Sequence, residues 1–259
     1  MVHPGPLRGL DDHGRSTDNM TMPPSVRPML FENNDPEYLI SIRGTCFIIS
    51  SGNRLYGVTA KHNTEDFHPR QYRIPACFGS HNMLPFSQPF TVEMQQEDFE
   101  DFVLIPIEES AKELVDFDST CASDLDITGI AWSNINSVIV AGFPTELNEP
   151  DYENGSLSYQ PVLLTAVIIS KPDEDGIGTI NVCDVGKLKS LEGFSGSPVY
   201  VVSRLVGNVL RGSRDTSISQ LLHFLDVRIF EAIINHDIQE KSELSGSPNP
   251  LLPSASGDG

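Results

Sequence analysis

Gly193-Phe194-Ser195-Gly196-Ser197-Pro198-Val199 is the stretch on which the reading of this chain turns. A serine between two glycines, just before an apolar run, is how a nucleophile loop is built. A serine hydroxyl is a poor nucleophile unaided and needs a base and a site for the developing oxyanion. The glycines let the backbone turn so that amide N–H groups can point at that oxyanion. A Gly/Ser turn before a strand is also common in any β protein, so the upstream sequence has to decide. Within the stretch Ser197 is the rival to Ser195, or a small residue facing the core.

Two upstream segments give the motif its context. In Gly57-Val58-Thr59-Ala60-Lys61-His62 an apolar strand ends in Thr-Ala and a histidine follows one residue on. In Glu100-Asp101-Phe102-Val103-Leu104-Ile105 an aspartate stands at the mouth of an apolar strand, with Asp98 as runner-up in the same acidic cluster. His62 is singled out from seven histidines by that context. His3, His13 and His236 lie in poor contexts, His68 and His81 in loops, and His223 inside a strand candidate after the serine.

Thr-Ala-x-His, Asp-x-x-Leu and Gly-x-Ser-Gly-Ser-Pro, in that order, resemble the trypsin-like (chymotrypsin-fold) serine peptidases, and in particular intracellular, bacterial-type members. The resemblance runs from about Ile40 to about Ile234. It implies Ser195 as nucleophile, His62 as general base and Asp101 as the acid that orients the imidazole. The N–H groups of Gly193 and Ser195 are the expected oxyanion hole. Around it, Lys189, Arg211, Gly212 and Leu222 are the expected substrate-binding residues. Lys189, where such enzymes place the pocket floor, would favour an acidic P1 side chain, as in the similar glutamyl endopeptidases. Leu222 and His223 as the far wall make an apolar pocket an equal alternative.

Four positions depart from the family pattern. Phe194 stands where trypsin places an aspartate that receives a new N-terminus, so activation by N-terminal insertion is not expected. Leu210 stands where a serine often supports the aspartate, and Arg211 where an aromatic often lines the pocket. Asn63 follows the histidine where secreted relatives often carry a bridged cysteine.

Composition points the same way. The chain has 259 residues, 39% of them hydrophobic, long enough for a large core in one or two domains. Its 20 Gly and 19 Pro, scattered between short apolar runs, favour β structure over long helices. Two groups of strand candidates fit an all-β fold of two packed six-stranded antiparallel β-barrels, as the resemblance implies. The first group is Leu39–Ser50, Leu55–Ala60, Tyr72–Phe78, Phe90–Met94 and Phe102–Ile107. The second is Ser137–Gly142, Val162–Ser170, Thr179–Asp184, Pro198–Val202, Val206–Leu210 and Leu221–Asp226. Asn154-Gly155 reads as a type I′ turn. Phe230, Ile233, Ile234 and Ile238 fall at helical spacing and predict a C-terminal amphipathic helix over Val227–Gln239. Residues 1–30 read as a flexible leader, 31–240 as the peptidase domain (barrels about 31–115 and 130–240), and 241–259 as a disordered tail.

The formal charge is −19, and from Ile74 to Gly186 there are 20 Asp and Glu against two lysines. Such a face repels phosphate, so nucleic acid is not an expected partner. No run approaches a membrane span, and no apolar signal region is visible. The four cysteines show no C-x-x-C spacing, and the absent signal and absent bridged cysteine after His62 both point to a reducing cytoplasm. The reading is a serine endopeptidase acting on protein or peptide, with no metal or cofactor and with a regulatory protein partner among its expected contacts. A partner-gated or inactive binding module is the alternative. An α/β-hydrolase is disfavoured, because that fold places its acid and histidine after the serine.

Overall fold

The computed structural model describes residues 21–33, 40–65, 68–77, 80–87, 101–148, 150–151, 156–157, 159–186, 188–212 and 220–235. Its strands are β1 Val26–Glu32, β2 Ile40–Ser51, β3 Arg54–Thr59, β4 Tyr72–Arg73, β5 Val103–Ile107, β6 Ser123–Asp124 and β7 Ser137–Gly142. They continue with β8 Pro150–Asp151, β9 Ser156–Leu157, β10 Val162–Ser170, β11 Ile177–Val182, β12 Pro198–Val201, β13 Arg204–Gly212 and β14 Leu221–Asp226. One helix, α1 (residues 227–235), follows β14.

Alternation along the strands sorts the side chains into three cores, because successive residues of a strand face opposite sides. On β2, Cys46 and Ile48 join Met29, Phe31, Leu55, Val103 and Ile105 inside the first sheet. Their neighbours Phe47 and Ile49 face the other way, joining Tyr56, Val58, Phe102 and Leu104. That second cluster also takes Leu205, Leu210 and Leu225 from the C-terminal half, so it is the seam between the two halves. Val138, Val140, Ile180, Val199, Val206, Val209 and Phe224 fill the interior of the C-terminal half.

The C-terminal half is a closed antiparallel barrel in the order β10-β11-β14-β13-β12-β7. The N-terminal half is a curled sheet in the order β4-β1-β2-β3-β5, with β6 paired parallel to β2. Among the described residues it is a curled six-stranded half-barrel, and with the closed barrel it gives the expected chymotrypsin-like arrangement. The expected strand Phe90–Met94 lies outside the described residues, as do Asn154-Gly155 (between the paired β8 and β9), most of the leader and the tail. The Tyr72–Phe78 candidate is strand only at Tyr72–Arg73.

β1 begins at Val26, inside the segment read as leader, and its residues are almost wholly buried. Arg27 and Pro28 break the apolar pattern that would have announced it. The Arg27 guanidinium is satisfied inside the protein by the carbonyls of Pro75, Val26, Ala76 and Cys121, which is what lets an arginine lie in a core. Helix α1 is capped by Asp226, whose Oδ1 accepts the Arg228 N–H at 2.8 Å. Its buried face, Val227, Phe230, Ile233 and Ile234, enters the seam, where Phe230 stacks on Phe102 at 4.8 Å between ring centroids.

Candidate active site

The end of β3 turns straight into a short 3₁₀ segment, Lys61–Asn63, which lifts His62 off the sheet. Asp101 comes from the residue pair just before β5, the strand that pairs with β3. Their side chains meet: Asp101 Oδ2 accepts from His62 Nδ1 at 2.6 Å, and Oδ1 accepts the His62 backbone N–H at 2.9 Å. A carboxylate only accepts, so this contact puts the imidazole proton on Nδ1 and leaves a lone pair on Nε2. The Asp101 side chain is 15% exposed and that of His62 is 45% exposed, so the acid is covered while the base faces outward. Asp98 lies outside the described residues.

The Ser195 loop approaches from the other barrel. Gly193 and Gly196 have φ of +92° and +82°, the region that favours glycine. A Cβ on Gly193 would come within 2.4 Å of the Phe143 carbonyl oxygen, and one on Gly196 within 2.1 Å of the Thr45 carbonyl oxygen. The loop is thus pressed onto both halves with no room for a side chain at either position. Phe194 is fully buried in the C-terminal barrel core and anchors the loop there through apolar contact.

Carbonyls of the loop are tied down one after another. That of Glu192 accepts the Thr145 N–H at 2.9 Å, and that of Gly193 accepts the Thr45 hydroxyl at 2.8 Å. The Phe194 carbonyl accepts the Ser197 N–H at 2.9 Å. In a trans peptide the N–H points opposite to the C=O. The Gly193 and Ser195 N–H groups therefore point away from the Thr145 and Ser197 amides, and among the described residues neither has an acceptor. The carbonyl of Ser195 itself accepts from the Thr45 N–H and from Asn63 Nδ2, both at 3.0 Å.

Ser195 is half-buried, whereas Ser197 is fully buried. A Cβ on Gly142 would come within 2.3 Å of Ser197 Oγ, so the rival serine packs inside. Lys189 is exposed, and its backbone N–H donates to Glu146 Oε1 at 2.7 Å. Gly212 lies opposite Leu222 and Arg211 opposite His223 across β13 and β14. Leu222 is buried in the barrel core, and His223, its neighbour in the strand, faces Thr179 at 3.1 Å. The two therefore occupy opposite faces of β14 and do not form one wall. Leu210 is buried in the seam cluster. Thr45 and Asn63 were not singled out as site residues by the sequence: a lone Thr and a lone Asn carry no pattern, and only tertiary contact reveals them.

No protein-family model and no curated protein sequence matches this chain. Solved structures do. An inactivated protease paralogue of the scabies mite aligns at TM-score 0.56 and 14% identity, over 88% of this chain and 94% of that one. The HtrA-type protease AlgW, solved with a decapeptide, aligns at TM-score 0.55 and 12% identity, over 84% of this chain and 65% of its own. Neuropsin, a serine protease of mouse brain, aligns at TM-score 0.55 and 13% identity, over 83% and 95%. At such identity the likeness is one of backbone, and it spans active and inactivated proteins alike. The chain carries the chymotrypsin-like fold, a closed barrel and a curled half-barrel sheet joined along one seam.

Proposed function

We propose that the protein is a serine endopeptidase. The observation that carries this is the pair of hydrogen bonds His62 donates to Asp101, which fixes the tautomer a general base requires. Ser195 Oγ attacks the peptide carbonyl while His62 Nε2 takes its proton. The Gly193 and Ser195 N–H groups receive the oxyanion, each such donor contributing about 3 kcal/mol in the transition state. His62 then protonates the leaving amine, and water releases the acyl group by the reverse path. The chemistry calls on no metal or cofactor.

On the substrate side, Gly212 and Arg211 at the end of β13 are proposed to contact the peptide, with Leu222, buried in the barrel core opposite Gly212, supporting that edge from inside. Lys189 at the surface is proposed to favour an acidic residue. AlgW was solved with a decapeptide, which supports an extended peptide as ligand here. The four free cysteines support a reducing compartment as the working environment. The second reading is a binding module without turnover, favoured by the inactivated mite protease having the same fold.

Labelling with a fluorophosphonate probe separates the two. The endopeptidase reading expects wild type to label and Ser195→Ala and His62→Ala not to, with peptide-library cleavage following the same pattern. Folded wild type that does not label sinks it.

A further inference from the structure

Asn63 is the least accessible polar side chain on the histidine turn, 2% exposed, and it points away from His62 into the seam. Its Nδ2 donates to the Ser195 carbonyl at 3.0 Å and to Thr59 Oγ1 at 3.0 Å. The Ser195 carbonyl only accepts, so the amide nitrogen, not the oxygen, faces it. Space for this amide is left by Gly44: a Cβ there would stand 2.5 Å from Asn63 Nδ2 and 2.8 Å from its Cγ. Asn63 Oδ1 is buried without a hydrogen-bond partner. A buried amide is tolerated at that cost when its donor does something a smaller residue would not.

Thr45 completes the arrangement. Its N–H meets the same Ser195 carbonyl, and its hydroxyl donates to the Gly193 carbonyl while accepting the Phe143 N–H at 2.9 Å. Two side chains of the N-terminal half thus hold the Gly193–Phe194 and Ser195–Gly196 peptide units, in the loop of the C-terminal half. Of the three contacts to the loop, two come from Thr45 and the third from the residue next to His62.

We infer that Asn63 is a positioning residue, a hydrogen-bonded latch that fixes Ser195 against the His62 turn across the seam. The inference rests on the endopeptidase reading for its kinetic consequence only; the latch itself is a statement about the loop. Losing the donor frees the Ser195 carbonyl on one side, lets the loop rotate, and removes a restraint on where Oγ stands relative to the His62 turn. Misplacement of this kind lowers the chemical step and leaves ground-state binding nearly unchanged.

The test uses the full chain and Asn63→Leu, which keeps the branched four-atom side chain and removes the donor. Fluorophosphonate labelling is expected to lose at least about 10-fold in the maximal rate, with the half-saturating probe concentration within about 2-fold of wild type. Amide exchange over residues 191–199 is expected to speed up at least about 10-fold in Asn63→Leu, and this readout does not need turnover. Unchanged exchange overturns the latch. Wild-type labelling with an unaffected maximal rate in Asn63→Leu overturns it as well. A wild type that never labels counts against the endopeptidase reading alone, and exchange still decides the latch.

Discussion

At the scale of single residues, the histidine is fixed by two atoms of one carboxylate, and each does a different job. Oδ1 on the His62 N–H holds the turn, while Oδ2 on Nδ1 selects the tautomer. Asp101→Asn keeps the shape and lets the amide donate to Nδ1, which gives the wrong tautomer. The expected loss in turnover is on the order of 10⁴-fold, the size it has in established triads, read as cleavage rate at saturating peptide. Cysteine chemistry is equally residue-specific. Burial pushes the Cys46 thiol up to about 12, leaving almost no thiolate near neutrality, whereas Cys183 is exposed. Iodoacetamide at pH 8 should therefore modify Cys183 first and Cys46 only on unfolding, as mass spectrometry of timed samples would show. The sequence offered His62, Asp101 and Ser195 because each stands at a strand end beside a recognisable motif. It offered nothing for Thr45, whose contacts join residues 98 and 148 positions apart.

At the scale of elements, three strands have the bounds expected: Ser137–Gly142, Val162–Ser170 and Leu221–Asp226. All three are apolar-rich runs, and each has a serine, glycine or aspartate at one end or both: Ser137 and Gly142, Ser170, and Asp226. β1 was hidden because its charged residue is neutralised by carbonyls far away in sequence, which no local pattern reports. The β12–β13 turn contains a local conflict. Val202 has φ of +58° and is 78% exposed, a β-branched residue where glycine is at home. Val202→Gly should stabilise by about 1 kcal/mol, the left-handed penalty less the added chain entropy, read as a rise in denaturant midpoint with an unchanged slope. An unchanged or lower midpoint would refute it. Between β11 and β14, burial and then the Arg211 charge lower the pKa of His223. The unfolded chain therefore takes up a proton there as pH falls through about 6.5, and the folded chain resists. Stability is lost on acidification through that window and unaffected above it. His223→Gln should show a smaller drop in Tm from pH 8 to pH 5 than wild type.

At the scale of the molecule, the seam is the largest shared feature, and α1 belongs to it rather than to either half. Phe230 touches Phe47 and Phe102 of the N-terminal half although it follows the last strand of the barrel. Phe230→Ala should cost about 3–5 kcal/mol. The two halves should still melt in one transition, because both bury apolar surface there. Calorimetry resolving two separate transitions in wild type would contradict this. The double-barrel arrangement was legible from motif order and strand spacing, whereas the short parallel pairing of β6 with β2 was not, since two residues carry no period.

The Gly196 contact with the Thr45 carbonyl has a bearing on how a cell would make this protein. A ribosome releases His62 and Asp101 well before Ser195, and the serine loop rests against Thr45 of the N-terminal half. Under the proposed chemistry, a nascent or truncated chain holds its base and acid with no shaped nucleophile and is harmless to its neighbours. Hydrolysis begins when docking is complete, so chain order itself keeps base and nucleophile apart until both halves are in place.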